Sequence, residues 1–261
     1  MTINANYDVL ENAIKRAGEK AQAFRKDGLS ITVKGRQDFV SQADVLVENE
    51  LKEVIKSLYP DDAFLGEESG LTTQYLSHDG ASSRGVWVID PIDGTTNYLQ
   101  NMDYWCVSVA FVKDNKVEWG CIYAPDRNEL FIARSGQGAY LNGKRLNMKE
   151  PLDGHAILGL GRSNRTLLQN YLDLMVMLDR NNIEYRRFGA GALMLAHVAS
   201  GLVHGYYEAH LNSWDALAGI LLIEEAGGTV SDFLENDGLL NGNPILAATP
   251  ILWRRLQAED L

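Results

Sequence analysis

An apolar stretch that stops abruptly at two aspartates is the feature that most constrains this chain. Val86–Ile89 is wholly apolar, and Asp90 and Asp93 follow it before Gly94–Thr96 opens what looks like a helix. Two carboxylates at the end of a buried strand are costly unless a cation lies between them. Free backbone N–H groups at the start of a helix bind anions. The segment therefore predicts a cation site beside a phosphate site, which indicates metal-assisted phosphate chemistry.

Turn formation is the competing interpretation of this segment, because Asp-Pro and Asp-Gly pairs are common in turns. Three features favour a metal site: the apolar strand that half-buries Asp90, the rigid Pro91 that aims the Ile92 carbonyl as an extra oxygen ligand, and the amides and hydroxyls that follow Asp93. Hard cations such as Mg²⁺ bind oxygen ligands of this kind.

Two other acidic motifs fit the segment poorly. An EF-hand loop needs alternating acids and a distant glutamate, and the spacing here fails. Haloacid-dehalogenase phosphatases begin with Asp-x-Asp-Gly-Thr, whereas Asp93 stands three positions after Asp90 and Pro91 follows the first aspartate. A covalent aspartyl intermediate therefore stays only a weak alternative.

Four acids elsewhere in the chain are candidates for the same site, and each has an ordinary structural interpretation. Glu67 and Glu68 lie in a Gly-Glu-Glu-Ser turn, and for Glu68 a solvated turn is the preferred interpretation. Asp215 lies in the first turn of an apolar helix, where the helix dipole stabilises an acid. Asp44 ends a Ser-x-x-Asp pattern that resembles a helix capping box.

Composition and charge narrow the class of protein. The chain has 261 residues, 46% of them hydrophobic, and a formal net charge of -11, which argues against nucleic acid and anionic membranes as partners. The first ten residues do not resemble a secretory signal, and no apolar stretch approaches the roughly 20 residues of a membrane span. Cys106 and Cys121 either face each other across a hairpin or, as we prefer, are reduced core thiols, so a cytoplasmic location is expected.

The order of predicted elements indicates the fold class. Hairpins in the first half favour a mixed or antiparallel sheet, and alternating strands and helices in the second half favour helices layered on another sheet. A layered α+β or α/β sandwich is expected, as a single domain with an α+β lobe at about 1–150 and an α/β lobe at about 151–261. The predicted helices cover 6–26, 41–58, 166–180, 190–200, 214–226 and 250–258. A short apolar piece lies at 63–65, and the predicted strands cover 86–89, 105–113, 116–123, 129–133, 139–141, 156–160, 184–188, 203–208, 229–232 and 245–248.

Several blocks of the chain, taken together, resemble the inositol monophosphatase family. Two of them are long and specific, and the resemblance spans nearly the whole chain. The matching segments are Lys34 with Asp38–Asp44, Gly66–Ser69, Trp87–Tyr98, and Trp214–Gly219 followed by Glu225–Gly228.

This resemblance implies a Mg²⁺-dependent, lithium-sensitive phosphomonoesterase with an αβαβα sandwich fold like that of fructose-1,6-bisphosphatase and inositol monophosphatase. Such an enzyme hydrolyses a small phosphorylated alcohol, inositol 1-phosphate first among them, by direct attack of metal-activated water, and it is commonly a homodimer. Two or three Mg²⁺ per active site are implied. The implied metal ligands are Glu67, Asp90, the Ile92 carbonyl, Asp93 and Asp215.

The resemblance also assigns the other roles in the site. Thr95 with Asp44 orients or deprotonates the attacking water, and Glu67 shares in catalysis beside a third, weaker metal position. The implied substrate-binding residues are Gly94, Thr95, Ala190, Glu208 and Asp215. Glu208 stands where inositol phosphatases bind a substrate hydroxyl.

Two departures from the family pattern concern substrate choice. Ala190 replaces a hydroxyl-bearing residue, and the segment Ala209–Asn212, with His210 as a substrate contact, is unlike the inositol-specific members. Phosphatases of the same fold for histidinol phosphate, a 3′-phosphonucleotide, a sugar bisphosphate or NADP therefore remain alternatives. A regulatory or RNA-associated protein that keeps the fold for binding is the alternative of another class.

Overall fold

The first layer of the fold consists of two long helices. The computed structural model describes residues 3–26, 36–72, 85–163 and 165–259. Helix α1 spans Ile3–Lys26 and α2 spans Arg36–Leu58. The residues that α1 buries recur at helical spacing, from Leu10 and Ile14 to Ala17 and Ala21, because side chains three and four positions apart share one face of a helix. None of the described helices is long and apolar enough to cross a membrane.

The second layer is a mixed sheet of eight strands within the described residues, in the order β2-β1-β3-β4-β5-β6-β7-β8. Strand β1 runs parallel to β3, and the other neighbours pair antiparallel. The strands are β1 (Ala63–Gly66), β2 (Gly70–Leu71), β3 (Val86–Asp93), β4 (Cys106–Lys113), β5 (Lys116–Ala124), β6 (Glu129–Arg134), β7 (Gly138–Leu141) and β8 (Lys144–Arg145). A short helix, α3 (Thr95–Leu99), follows β3 directly.

A second sheet of five described strands, in the order β10-β9-β11-β13-β12, forms the other half. Strands β9, β10 and β11 are parallel, so their carboxyl ends lie at one edge. The strands are β9 (Ala156–Leu160), β10 (Ile183–Arg186), β11 (Gly205–Leu211), β12 (Thr229–Val230) and β13 (Asn243–Ala248). The helices are α4 (Leu168–Arg180), α5 (Gly191–Ser200), α6 (Ser213–Glu225), α7 (Gly238–Asn241) and α8 (Pro250–Gln257).

Three hydrophobic clusters join these elements into layers. One cluster lies between α1 and α2 and one face of the eight-stranded sheet. The largest cluster surrounds α5 and α6, which lie between the two sheets. The third covers the outer face of the five-stranded sheet with α4 and α8. The order helix, sheet, helix, sheet, helix confirms the expected αβαβα sandwich.

Several boundaries differ from the sequence-based prediction. Helix α2 begins at Arg36 rather than at residue 41, so Asp44 lies inside the helix and is not part of a capping box at its start. Strand β3 does not stop at Ile89, because a register shift lets it continue beside β4 until Asp93 pairs with Cys106. The sequence also predicts a turn at Lys34–Gly35 and a loop at 71–84. The turn lies outside the described residues, as does the loop apart from residues 71 and 72.

Candidate functional site

Three aspartates from two distant parts of the chain meet at the centre of the molecule. Carboxylate oxygens of Asp90, Asp93 and Asp215 all lie within 4.8 Å of one another. The first two belong to the end of β3, and Asp215 lies in the first turn of α6. The Ser108 hydroxyl of β4 donates to the Trp214 carbonyl at 3.1 Å and holds the start of α6 against the sheet.

Asp93 is bound to the start of α5. Its Oδ1 accepts from the Gly191 N–H at 3.0 Å, and its Oδ2 accepts from the Leu193 N–H at 3.1 Å. These N–H groups have no partners within the helix, so a carboxylate there stabilises α5. Burial raises the pKa of Asp93 to about 6, while the bonds from α5 and from the Cys106 thiol lower it. The side chain is therefore held in one orientation before any ligand binds.

Asp90 is the most buried acid of the cluster, with 1% of its surface exposed. Its Oδ1 accepts from the Ile92 N–H at 3.0 Å, and its Oδ2 has no partner among the described residues. Burial, followed by the charges of Glu67, Asp215 and Asp93, raises its pKa well above the ordinary value. The pKa of Asp215 is raised in the same direction by burial and then by Asp93.

Two further acids lie near the cluster, Glu67 in the turn after β1 and Asp44 on α2. Glu67, in the exposed turn after β1, has its pKa raised to about 7 by desolvation, and a side-chain contact with Asp90 lowers it. Asp44 of α2 is 2% exposed, and neither of its oxygens has a hydrogen-bond partner among the described residues. Burial, then the charges of Glu68, Glu67 and Glu48, raises its pKa to about 8. Glu68 is exposed, as the solvated-turn interpretation expects.

The turn from β3 into α3 lies directly beside the start of α5. Gly94 has a φ of 85°, and a Cβ there would lie 2.8 Å from the Ala190 Cβ and 3.0 Å from the Tyr104 carbonyl oxygen. Only glycine combines this backbone conformation with so close an approach. The Thr95 hydroxyl donates to the Ile92 carbonyl at 3.0 Å, and Ala190 is buried. The structure thus places Gly94 and Thr95 beside the acid cluster.

Glu208 lies on β11, facing the layer of α5 and α6, and is 9% exposed. Burial raises its pKa, the Tyr206 hydroxyl lowers it, and Asp93 raises it further. Glu208 is not part of the three-aspartate cluster, but its carboxylate is close enough to Asp93 for the two charges to repel each other.

The acid cluster fits a hard divalent cation. Carboxylate groups that repel one another in a buried position, with the Asp90 Oδ2 left without a partner, need a positive charge between them. All the donors are oxygen atoms, which suits Mg²⁺. Asp90, Asp93 and Asp215 would hold it, with Glu67 and the Ile92 carbonyl adjacent.

Some functional contacts were not anticipated from the sequence. The N–H groups of Gly191 and Leu193 orient Asp93, and the Tyr206 hydroxyl orients Glu208. A glycine at the start of a mostly apolar helix was the only available signal for the first contact. The alternation of β11, which places Tyr206 and Glu208 on one face, was the signal for the second.

Comparison with known proteins agrees with this fold. Residues 4–260 match the model of the inositol monophosphatase family. A layered αβαβα sandwich with an acid cluster between its sheets defines the class of protein, and the chain belongs to the inositol monophosphatase family.

Individual relatives are similar over nearly their whole length. Nus factor SuhB of Escherichia coli (strain K12) is 38% identical over 262 residues, covering 97% of this chain and 96% of that protein. The native crystal structure of the extragenic suppressor protein suhB from Bartonella henselae superimposes with a TM-score of 0.83 at 31% identity, covering 97% of each chain. Inositol monophosphatase-II from Staphylococcus aureus superimposes with a TM-score of 0.77 at 26% identity, covering 94% of this chain and 89% of that one.

Proposed function

We propose that this protein is a Mg²⁺-dependent phosphomonoesterase that hydrolyses a small phosphorylated alcohol. The observation that carries the proposal is the meeting of the buried Asp90 and Asp93 with the half-buried Asp215, an all-oxygen site beside Gly94 and Thr95. Membership of the inositol monophosphatase family supports the same reaction class.

Each residue of the site has a distinct task in this proposal. Bound Mg²⁺ supplies positive charge that neutralises the phosphate and lowers the pKa of a bound water. Gly94 and Thr95 bind the phosphate group, and α5 holds Asp93 in place for it. Asp44, together with Thr95, orients or deprotonates the attacking water, and neither Asp44 oxygen is occupied by a hydrogen-bond partner among the described residues. Water attacks phosphorus directly while the bond between phosphorus and the alcohol oxygen breaks. The alcohol leaves after taking up a proton from solvent, and no covalent intermediate forms on the protein.

The preferred substrate is inositol 1-phosphate. Glu208 supports this choice, because a buried carboxylate near the acid cluster is suited to accept hydrogen bonds from substrate hydroxyls. Ala190 offers no hydroxyl group of its own and is buried, which leaves the other phosphorylated compounds in contention: histidinol phosphate, a 3′-phosphonucleotide, a sugar bisphosphate and NADP.

A turnover panel over these compounds tests the proposal. Each compound is assayed without Mg²⁺, with Mg²⁺, and with Mg²⁺ and Li⁺, and phosphate release is measured. We expect release that requires Mg²⁺ and is inhibited by Li⁺. If myo-inositol 1-phosphate is among the poorest substrates, the inositol assignment fails, and if no compound turns over, the phosphatase assignment fails.

A regulatory role is the second candidate function, because relatives 36–38% identical to this chain carry the name Nus factor SuhB. That name makes nucleic acid, or proteins that act on nucleic acid, candidate partners again. The net charge of -11 had argued against nucleic acid. Pull-down of transcription complexes with the wild-type protein and with Asp93→Asn separates the two functions. Capture that is equal for both proteins would indicate a binding role independent of the acid cluster.

We further propose that the chain is a single domain of two lobes that forms a homodimer in the cytoplasm. Cys106 and Cys121 are both buried and free, which fits a reducing compartment. Sedimentation equilibrium is expected to give twice the chain mass of 29.0 kDa. A purely monomeric result would contradict the dimer.

A further inference from the structure

Tyr206 and Glu208 form a buried pair on one face of β11. The Tyr206 hydroxyl donates to the Glu208 Oε2 at 2.6 Å, which is a short, charge-assisted hydrogen bond. Tyr206 is 1% exposed and Glu208 is 9% exposed. Because side chains two positions apart on a strand lie on the same face, β11 itself aligns the two groups.

The surroundings of this pair leave room for one arrangement. A Cβ at Gly161, just after β9, would overlap both the Tyr206 hydroxyl and the Glu208 Oε2. A Cβ at Gly191, the first residue of α5, would lie 3.4 Å from the same hydroxyl. The Tyr206 hydroxyl is therefore enclosed between the end of β9 and the start of α5, the helix that holds Asp93.

Electrostatic forces alone would turn Glu208 away from the site. Asp93 repels its carboxylate, whereas Arg187, which is exposed, attracts it. A buried charge-assisted hydrogen bond outweighs attraction to an exposed guanidinium group. The Tyr206 bond, together with a hydrogen bond from the Arg162 backbone N–H, therefore opposes the outward pull and keeps Glu208 directed along the inner face of β11.

We propose that Tyr206 is a positioning residue for substrate recognition, which holds the Glu208 carboxylate where it accepts a hydroxyl group of the phosphorylated alcohol. This inference rests on the phosphatase function proposed above. Tyr206 itself, enclosed on every side, acts through Glu208 rather than by touching the substrate.

Steady-state kinetics of Tyr206→Phe tests this role. The variant keeps the ring and removes only the hydroxyl group. We expect KM to rise about 10-fold with kcat changed less than about twofold, as for loss of an interaction made equally in the ground and transition states. The matched control is Tyr207→Phe, since Tyr207 faces the opposite side of β11 and packs with α4 and α8. Its KM should not change.

A double-mutant cycle shows whether Tyr206 acts through Glu208. In a Glu208→Ala background, Tyr206→Phe should leave KM unchanged, because the group that it positions is absent. An equal rise of KM in both backgrounds would overturn the proposal, and so would an unchanged KM in the single variant.

A crystal structure of Tyr206→Phe provides a readout that needs no activity. The Glu208 carboxylate is expected to leave the space beside Gly161 and turn towards Arg187, and a carboxylate that stays in place would overturn the proposal. If the wild-type protein hydrolyses no compound of the panel while the carboxylate moves as expected, the phosphatase function fails and the positioning of Glu208 by Tyr206 stands.

Discussion

Asp93 combines two tasks in one side chain. Its oxygens lie in the acid cluster and also accept the first free N–H groups of α5. The sequence pattern indicated the first task, since an acid close after an apolar strand and just before a glycine suggests a ligand. The second task depends on α5, which begins 98 positions later in the chain, and no local pattern reveals such a partner.

We expect Asp93→Asn to lower turnover by at least about 100-fold, because replacing a residue that only hydrogen-bonds to a metal ligand already costs about 10- to 100-fold. The amide removes one negative charge from the cluster and one acceptor from α5. Its effect on folding is expected to be within about 1–3 kcal/mol, the range for one lost bond to a buried donor. Phosphate release and urea unfolding measure the two effects.

Asp114→Asn is the matched control for that substitution. Asp114 is an exposed residue in the turn between β4 and β5, with a φ of 50° that asparagine tolerates. Both activity and stability should match the wild type. Substantial Mg²⁺-dependent turnover in Asp93→Asn would contradict the assignment of the metal site.

At the scale of elements, the site is assembled where a strand end meets the starts of two helices. Strand β3 brings Asp90 and Asp93, α6 brings Asp215, and α5 presents its N–H groups. The Asn97 side chain of α3 donates to the carbonyls of Tyr104 and Phe188, each at 2.7 Å. The bond to Phe188 connects the turn after β3 to the segment that leads into α5.

Because the turn after β3 packs closely against the start of α5, Gly94→Ala tests how tightly these two segments are packed. We expect the variant to lose about 1–2 kcal/mol through backbone strain and about 1–3 kcal/mol more through the clash with Ala190. Gly136→Ala is the control, because Gly136 also has a positive φ, of 71°, but no atom lies within 4 Å of its added Cβ. Chemical denaturation should show only the strain in the control, and equal losses in both variants would argue against the tight packing.

At the scale of the whole molecule, the layers enclose acids that repel one another. Without a bound metal ion, this repulsion should make the free energy of unfolding depend on pH. Asp44 has a folded-state pKa of about 8 instead of 3.8, so unfolding between these values releases a proton. Stability therefore falls as the pH rises through that window.

We expect the Tm of the metal-free protein to decrease as pH is raised from about 5 to 8, and Mg²⁺ to raise the Tm most at the upper end, where the ligands are ionised. Differential scanning calorimetry with and without EDTA measures both trends. Asp44→Asn should flatten the metal-free slope while Asp114→Asn leaves it intact. A slope that is unchanged in Asp44→Asn would mean that other groups determine it.

The sequence by itself determined the element types of the fold and predicted the nature of the site. Apolar runs, glycine turns and helical spacing are local properties, so β4, β5, α5 and α6 lie close to their predicted positions. Boundaries were less accurate where tertiary pairing extends an element, as it does for β3 beside β4. The aspartates after Ile89 predicted metal-assisted phosphate chemistry, because two closely spaced acids at the end of an apolar strand can be recognised from the local sequence alone.

Only the tertiary structure decided which groups complete that site. Packing of α2 on the sheet buries Asp44 without a partner among the described residues, and the approach of α5 fixes the orientation of Asp93. The enclosure of the Tyr206 hydroxyl by two glycines likewise depends on three separate elements. The physical reason is common to all three cases: burial and hydrogen bonding between residues far apart in the chain exist only once the layers have packed.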